Sequence, residues 1–156
     1  PMSLYAKLQQ RAAEGRPIRV GLIGAGKFGS MYLAQIPKTP GMHLVGIADL
    51  SPAAAHANLQ RVGWPAERCS ARSLEAALKD GNTHIGDDWR ALVAHPAIDV
   101  IVECTGHPIA AVEHCLAAFA QHKHVVNVTV EADAFCGPLL ALRAAGMPML
   151  VAEQNQ

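Results

Sequence analysis

Residues 20–30, VGLIGAGKFGS, decide the fold of this chain. A run of small and apolar residues leads into three glycines, Gly24, Gly26 and Gly29, with the spacing G-x-G-x-x-G. In a parallel α/β domain the first glycine permits a sharp strand-to-helix turn, and the second lets the backbone approach a pyrophosphate. The third glycine lets the helix pack closely on the strand. The stretch therefore predicts a buried strand, a turn that cradles a dinucleotide, and a helix.

An acidic residue at the expected distance supports this interpretation. Asp49 ends the second predicted strand, HLVGIAD, and follows Gly29 by twenty residues. A doubly wound fold places at this point the acid that binds the ribose hydroxyls. The same glycine spacing also occurs in turns that have a purely structural role. Here the preceding strand, the following helix and Asp49 together favour the binding of a dinucleotide. Asp49 should repel a 2′-phosphate, and the next residue is Leu50 rather than an arginine, so these residues favour NAD over NADP.

Short aliphatic runs alternate with helical stretches along the rest of the chain, as is typical of a parallel α/β domain. The clearest further strand is AIDVIVECTG, residues 97–106, and later strands are predicted at residues 123–128 and 147–152. The helix after the glycine turn should end before Pro37, and Ser51 and Pro52 predict the start of the next helix. A later helix is predicted at residues 139–145. We expect one α/β domain over residues 1–156, a Rossmann-type doubly wound, mostly parallel sheet of about six strands in three αβα layers.

A second group of candidate residues lies in ECTGHP, residues 103–108. The strand ends at Cys-Thr-Gly and a helix begins at the proline. Backbone N–H groups and the Thr105 hydroxyl are therefore expected at the carboxyl edge of the sheet, where the middle of a dinucleotide would lie. A tight structural turn is the alternative. We interpret Cys104 as a small buried thiol beside the cofactor rather than as a nucleophile.

The predicted cofactor contacts come from the glycine turn, the ends of two later strands, and the ECTGHP turn. They are Gly24, Gly26, Lys27, Phe28, Gly29, Asp49, Leu50, Cys104, Thr105, Gly106, His107 and Thr129. We identify no catalytic acid, base or nucleophile. We predict no metal site either, because His114 and Cys115 are neighbours that point about 100° apart on a helix, unlike paired zinc ligands.

Composition limits the classes of partner. Thirteen basic and thirteen acidic residues give a net charge of zero, so a nucleic-acid or membrane-surface partner is not expected. The apolar runs are too short to cross a bilayer. The four cysteines are widely spaced, which favours reduced thiols in the cytoplasm. We expect a dinucleotide cofactor, a small-molecule substrate, and self-association into a homo-oligomer through an exposed apolar sheet edge or face.

Three stretches, IRVGLIGAGKFGS, DVIVECTGHP and KHVVNVTVEAD, together resemble the N-terminal domain of homoserine dehydrogenase-like oxidoreductases. With THIGDDW and EADAFCGPLL, the chain resembles more narrowly the branch that includes the bacterial 1-deoxy-D-xylulose 5-phosphate reductoisomerase-like enzymes. The resemblance extends from about residue 8 to residue 146. It implies an oxidoreductase that uses a nicotinamide cofactor, NADPH in the narrower branch, which opposes the preference inferred from Asp49.

The chain departs from this family at one motif and in its length. Homoserine dehydrogenases carry a lysine shortly after the strand that matches residues 123–128, where this chain has VTVE at residues 128–131. Family members are longer and keep most catalytic residues in a following domain, which we expect to be absent here. The resemblance thus implies the cofactor-binding part of an NAD(P)-dependent oxidoreductase. The alternative is a non-enzymatic dinucleotide-binding sensor or regulatory module.

Overall fold

A computed structural model of the chain describes residues 1–26, 29–129 and 149–151. The strands are β1 (Ile18–Ile23), β2 (Met42–Ala48), β3 (His84–Gly86), β4 (Val100–Glu103), β5 (His124–Asn127) and β6 (Met149–Val151). The helices are α1 (Leu4–Ala13), α2 (Gly29–Gln35), α3 (Pro52–Arg61), α4 (Leu74–Asp80), α5 (Trp89–Ala94) and α6 (Pro108–Ala120). Two short 3-10 turns occupy Ile36–Lys38 and Ala66–Arg68.

The six strands form one sheet in the order β3-β2-β1-β4-β5-β6, and every pair of neighbours is parallel. The chain begins in the middle of the sheet at β1, extends outward to β3, and then returns to continue on the other side of β1 with β4. This order confirms the predicted Rossmann-type doubly wound fold. The direction of winding reverses between β1 and β4, and ligands of such sheets bind in the crevice at that point.

Helices cover both faces of the sheet, which confirms the three αβα layers. Two separate clusters of buried apolar residues fill the space between the layers. Leu33 of α2 and Leu59 of α3 pack against one face of the sheet. Leu92 of α5 and Phe119 of α6 pack against the other. Strands of a sheet that is buried on both faces are apolar at nearly every position, which is why they read as continuous aliphatic runs in the sequence.

Side-chain caps fix the starts of several helices. Ser51 accepts a hydrogen bond from the N–H of Ala54 at 3.3 Å, and Pro52 occupies the first turn of α3, as predicted. Ser73 and Asp88 cap α4 and α5 in the same way. These short polar side chains bond N–H groups that have no partner within the helix. Among the described residues, the structure contains no helix that is long and apolar enough to cross a membrane.

The element boundaries agree only in part with the sequence predictions. The α-helix after the glycine turn does end before Pro37, as predicted; Pro37 lies in the first turn of the 3-10 helix that follows, where its missing N–H is not needed. The strand predicted over residues 97–106 is shorter, because β4 spans only Val100–Glu103. The N–H of Cys104 still donates to the carbonyl of Ile23 in β1, but that of Thr105 donates to the side chain of Glu103. The helix predicted at residues 139–145 lies outside the described residues.

Candidate functional site

A crevice of about 330 Å³ opens at the carboxyl ends of β1, β2 and β4, where the winding of the sheet reverses. Seven of the predicted cofactor contacts line it, namely Gly24, Gly26, Asp49, Leu50, Cys104, Thr105 and His107. Gly29, Gly106 and Thr129 lie beside it and bond to neighbouring turn residues. Lys27 and Phe28 lie outside the described residues. The fold therefore gathers in one place residues that are separated by up to 83 positions, from Gly24 to His107.

The three glycines of the turn have different structural roles. Gly24 has a φ of +87°, and a Cβ there would lie 2.9 Å from the backbone of Cys104. A Cβ at Gly29 would lie 3.2 Å from the carbonyl oxygen of Gly24. None of the described residues would lie within 4 Å of a Cβ at Gly26. The fold thus requires Gly24 and constrains Gly29, whereas Gly26 faces space that the described part of the chain leaves open.

Asp49 lies beside the glycine turn and holds it. One carboxylate oxygen accepts a hydrogen bond from the N–H of Ala25 at 2.8 Å, and the other accepts one from the N–H of Ser51 at 2.8 Å. The side-chain amide of Asn58 donates to the carbonyl of Ala25 at 2.7 Å, so that both backbone polar groups of Ala25 are bonded to side chains. Each carboxylate oxygen retains a further lone pair for a ligand. The role of Asn58 was not predicted from the sequence.

Glu103 is a functional candidate that the sequence analysis missed. It ends β4 and its side chain is fully buried, with a relative exposure of 0%. One carboxylate oxygen accepts from the N–H of Thr105 at 2.7 Å, from its hydroxyl at 2.5 Å, and from the hydroxyl of Thr129 at 3.1 Å. The other oxygen pairs with Nδ1 of His114. A charged residue within a buried strand was a usable signal, because such groups are rarely buried without specific partners.

The backbone N–H groups that follow β4 are oriented differently from the sequence expectation. They were expected to face a ligand in the crevice. Instead, the N–H of Gly106 donates to the hydroxyl of Thr129 at 3.1 Å, and the N–H of His107 donates to the hydroxyl of Thr105 at 3.2 Å. Both hydroxyls in turn contact Glu103. The buried carboxylate therefore orients the whole turn.

Aromatic side chains form one wall of the crevice. Trp89, at the start of α5, packs edge-to-face on His114 with 4.4 Å between the ring centroids. The guanidinium of Arg90 lies 4.4 Å from the centroid of the Trp89 ring. Asp87 and Glu113 line the same region. Trp89 was not predicted as a site residue, because it is adjacent to the glycine turn only in the folded chain.

Cys104 lies in the floor of the crevice and is almost fully buried. Burial, and secondly the nearby carboxylate of Glu103, raise the pKa of Cys104 to about 12. The thiol thus stays protonated at neutral pH, when a nucleophilic cysteine must be a thiolate. This agrees with the interpretation of a small buried thiol. Within the described part of the chain, no group of three or more His, Cys, Asp or Glu side chains is arranged to hold a metal ion.

The sequence matches one protein family over most of its length. The profile of GFO/IDH/MocA, described as an oxidoreductase family with an NAD-binding Rossmann fold, matches residues 18–127. This segment extends from the start of β1 to the end of β5 and includes nearly all of the crevice. No curated protein matches the sequence significantly.

Solved structures share the fold at low sequence identity. A homoserine dehydrogenase from Thiobacillus denitrificans is 23% identical with a TM-score of 0.65, and the match covers 87% of this chain and 29% of that one. A myo-inositol dehydrogenase from Lactobacillus casei, in complex with NAD(H) and myo-inositol, is 17% identical with a TM-score of 0.65, over 87% and 36%. A biliverdin reductase from Synechocystis sp. PCC 6803, in complex with biliverdin and NADP+, is 23% identical with a TM-score of 0.63, over 86% and 37%.

These likenesses establish the fold and not a reaction. The chain spans only about a third of the length of the solved structures that it matches, for example 34% of an NAD binding oxidoreductase from Klebsiella pneumoniae. The identities are too low to transfer a substrate. The homoserine dehydrogenase is one neighbour among oxidoreductases of several kinds.

We predict that Cys104 is unreactive toward iodoacetamide in the native protein at pH 8. A pKa of about 12 leaves roughly one thiolate in ten thousand at that pH, and burial excludes the reagent. Cys115, whose pKa burial also raises to about 12, serves as a matched thiol away from the crevice floor. Alkylation followed by peptide mass spectrometry, with the denatured protein as reference, measures both. Labelling of native Cys104 at the rate of the denatured chain would contradict the prediction.

Proposed function

Because the chain belongs to the GFO/IDH/MocA oxidoreductase family with an NAD-binding Rossmann fold, we propose that its crevice holds a nicotinamide dinucleotide across the ends of β1, β2 and β4. The observation that supports this placement most directly is the open space at Gly26. A purely structural turn explains Gly24 and Gly29 but gives no reason for a glycine at position 26. A backbone without a Cβ there allows a pyrophosphate to approach closely.

The parts of the cofactor follow from the position of the turn. The pyrophosphate lies against the Gly24–Gly29 backbone, and the adenosine ribose bonds to the free lone pairs of Asp49. The nicotinamide half extends over the end of β4, toward Thr105 and His107, which line the same crevice. Hydride transfer is the chemistry that the bound cofactor supplies, and the protein orients it and sets the surrounding charge.

We propose NAD(H) rather than NADP(H) as the preferred cofactor. Asp49, Asp87 and Glu113 line the crevice, and Glu113 is paired with Arg90 at 3.0 Å. A 2′-phosphate at the adenosine ribose would meet the charge of Asp49, and no lysine or arginine is among the described lining residues to compensate it. The resemblance to the reductoisomerase-like branch favours NADPH instead, so that the cofactor preference also tests this narrower relationship.

For the reaction of the whole protein we propose a class and no particular substrate. We propose an oxidoreductase of the homoserine dehydrogenase-like group, in which a further domain binds the small-molecule substrate; the reductoisomerase-like branch stays a prediction. Leu50 and Ile109 are 95% and 89% exposed near the crevice, and they support a contact with that domain or with a second copy of the chain in a homo-oligomer. Cys69, Cys104 and Cys115 are free thiols, which supports a cytoplasmic location.

A dinucleotide-binding sensor is the second candidate function. It is favoured by Cys104: burial raises the pKa of this crevice thiol to about 12, so it is not available as a nucleophile. A cofactor bound without turnover would instead report its redox state to a partner.

We predict that Gly26→Val lowers NADH affinity at least about tenfold without destabilising the fold, because the new side chain enters space reserved for the pyrophosphate. Gly81→Ala is the matched control. Gly81 has a φ of +69° at the end of α4, far from the crevice, so its replacement should cost about 1 kcal/mol of unfolding free energy and leave binding unchanged. Nicotinamide fluorescence and urea denaturation measure the two quantities. Unchanged NADH affinity in Gly26→Val would refute the proposed pyrophosphate position.

We predict that the parent chain binds NADH more tightly than NADPH and that Asp49→Asn narrows this preference about tenfold, because it removes the charge that opposes the 2′-phosphate. Asp99→Asn is the control. Asp99 also accepts a backbone N–H, from Arg19 at 2.9 Å, but it lies at the opposite edge of the sheet. Titration of each variant with both cofactors gives the ratio of dissociation constants. A parent that prefers NADPH would contradict the proposal and support the reductoisomerase-like branch.

We predict that the chain alone binds NADH but does not catalyse hydride transfer, because the substrate and catalytic groups are proposed to lie in a further domain. NAD+ and L-homoserine, incubated with the chain, should produce no NADH absorbance above a blank without protein. Gly26→Val, with its weakened cofactor binding, provides a second blank. Turnover by the parent that Gly26→Val abolishes would show that this chain carries its own catalytic groups.

A further inference from the structure

The carboxylate of Glu103 lies directly beneath the part of the crevice that we assign to the nicotinamide half of the cofactor. It is fully buried at the end of β4, and Cys104 and Thr105, the next two residues, line the crevice. Nothing in the sequence motif of a dinucleotide-binding turn requires an acid at this position. A buried carboxylate needs hydrogen-bond donors around it, and the local backbone supplies them.

Three consecutive backbone N–H groups are committed to this carboxylate, one directly and two through hydroxyls. The N–H of Thr105 donates to Glu103 at 2.7 Å. The N–H groups of Gly106 and His107 donate to the hydroxyls of Thr129 and Thr105, at 3.1 Å and 3.2 Å. Those hydroxyls lie 3.1 Å and 2.5 Å from the same carboxylate oxygen. Each hydroxyl has a single proton, and that proton is donated to the carboxylate.

The hydrogen-bonding character of the turn follows from this arrangement. Its backbone donors and both threonine protons are used internally. Among the backbone groups of the turn, those left for a ligand are acceptors: the carbonyl oxygens of residues 104–106, together with the second lone pair of the Thr105 hydroxyl. In the described part of the chain, no N–H group donates to those three carbonyls. Hydroxyl and amide groups, which donate, therefore suit the backbone of this turn better than a phosphate oxygen, which needs donors.

We propose that Glu103 is a specificity-determining positioning residue, which makes the 104–107 turn an acceptor surface for the hydroxyl and carboxamide donors of a nicotinamide riboside. This inference rests on the proposed function, because it assumes that the nicotinamide half lies over β4. It adds that the backbone of the turn favours a neutral, donor-rich group. His114 secures the second carboxylate oxygen and thereby fixes the side chain that orients the turn.

The test compares two ligands on the full chain. NADH spans the whole crevice, whereas ADP is expected to occupy only the pyrophosphate and adenosine positions. Glu103→Leu removes both acceptor oxygens, so the N–H and hydroxyl of Thr105 and the hydroxyl of Thr129 lose their partner and can turn toward the ligand. Glu103→Gln is the conservative variant: its amide oxygen can accept from the same three donors, so it should bind both ligands like the parent. In Glu103→Leu the affinity for NADH falls relative to that for ADP. The dissociation constant for NADH should rise about three- to tenfold, the worth of about one hydrogen bond, while that for ADP stays within about twofold.

Two further variants separate this role from a loss of stability. Thr129→Val keeps the side-chain shape but removes the hydroxyl that accepts from Gly106, so it should change the ratio of the two dissociation constants in the same direction. Thr83→Val is the matched control, because the buried hydroxyl of Thr83 donates to the carbonyl of Leu44 at 2.6 Å, away from the crevice. It should lower stability and leave the ratio unchanged.

The outcomes distinguish this inference from the function on which it rests. A parent chain that binds neither NADH nor ADP at millimolar concentration would overturn both. A parent that binds both ligands, with an unchanged NADH-to-ADP ratio in Glu103→Leu and Thr129→Val, would overturn the role of Glu103 alone. Equal weakening of both ligands would also overturn it, because the effect would then be a general disturbance of the fold. A selective loss of NADH affinity in either variant supports it.

Discussion

The hydrogen bonds of one buried carboxylate organise the carboxyl end of this sheet. Burying a charged group costs several kcal/mol unless donors surround it, so the chain around Glu103 has to supply them. They come from the turn after β4, from Thr129 after β5 and from His114 on α6. A single group thus fixes the end of the central strand relative to its neighbour and to the covering helix. The shape of the crevice depends on that fixation, because the same turn forms its floor.

The glycine motif combines two constraints that the sequence does not separate. Gly24 is required by the approach of two protein backbones, since any Cβ would collide with Cys104. Gly26 has no such reason within the described protein. The identical residue type at both positions conceals this difference, which only the three-dimensional surroundings reveal. The first glycine therefore belongs to the fold, while the second is the more informative one about a ligand. Asp49 joins the two functions, because it holds the turn through Ala25 and still offers lone pairs to the crevice.

Local patterns in the sequence predicted the elements and their order well. Apolar runs indicated the strands, and short polar side chains such as Ser51 indicated helix starts, because these signals arise between residues close in sequence. Site residues that follow the carboxyl ends of strands, such as Asp49, could be predicted. A parallel sheet brings those ends to one edge. Asn58 was missed because its partner is remote: Ala25 lies 33 positions away. Glu103 carried a local signal, a charge within a buried strand, but its pairing with Thr129, 26 positions away, could not be read from it. Such pairings depend on strand register and helix rotation, which no local pattern encodes. For the same reason the sequence correctly placed the turn after β4 but not the direction of its N–H groups.

The polarity of the crevice varies along its length in a way that matches a dinucleotide. At the β2 side, the Asp49 carboxylate is an acceptor suited to ribose hydroxyls. At the β4 side, Glu103 occupies the backbone N–H groups of the turn and leaves carbonyls without a partner in the described part of the chain, which suits a second ribose and a carboxamide. The N–H groups of Gly24 and Ala25 are also used, by the Ala48 carbonyl and by Asp49. The open space at Gly26 lies between these two acceptor regions. A diphosphate flanked by two donor-rich ribosides has the complementary order, and this correspondence supports the proposed dinucleotide over a mononucleotide or a lone phosphate.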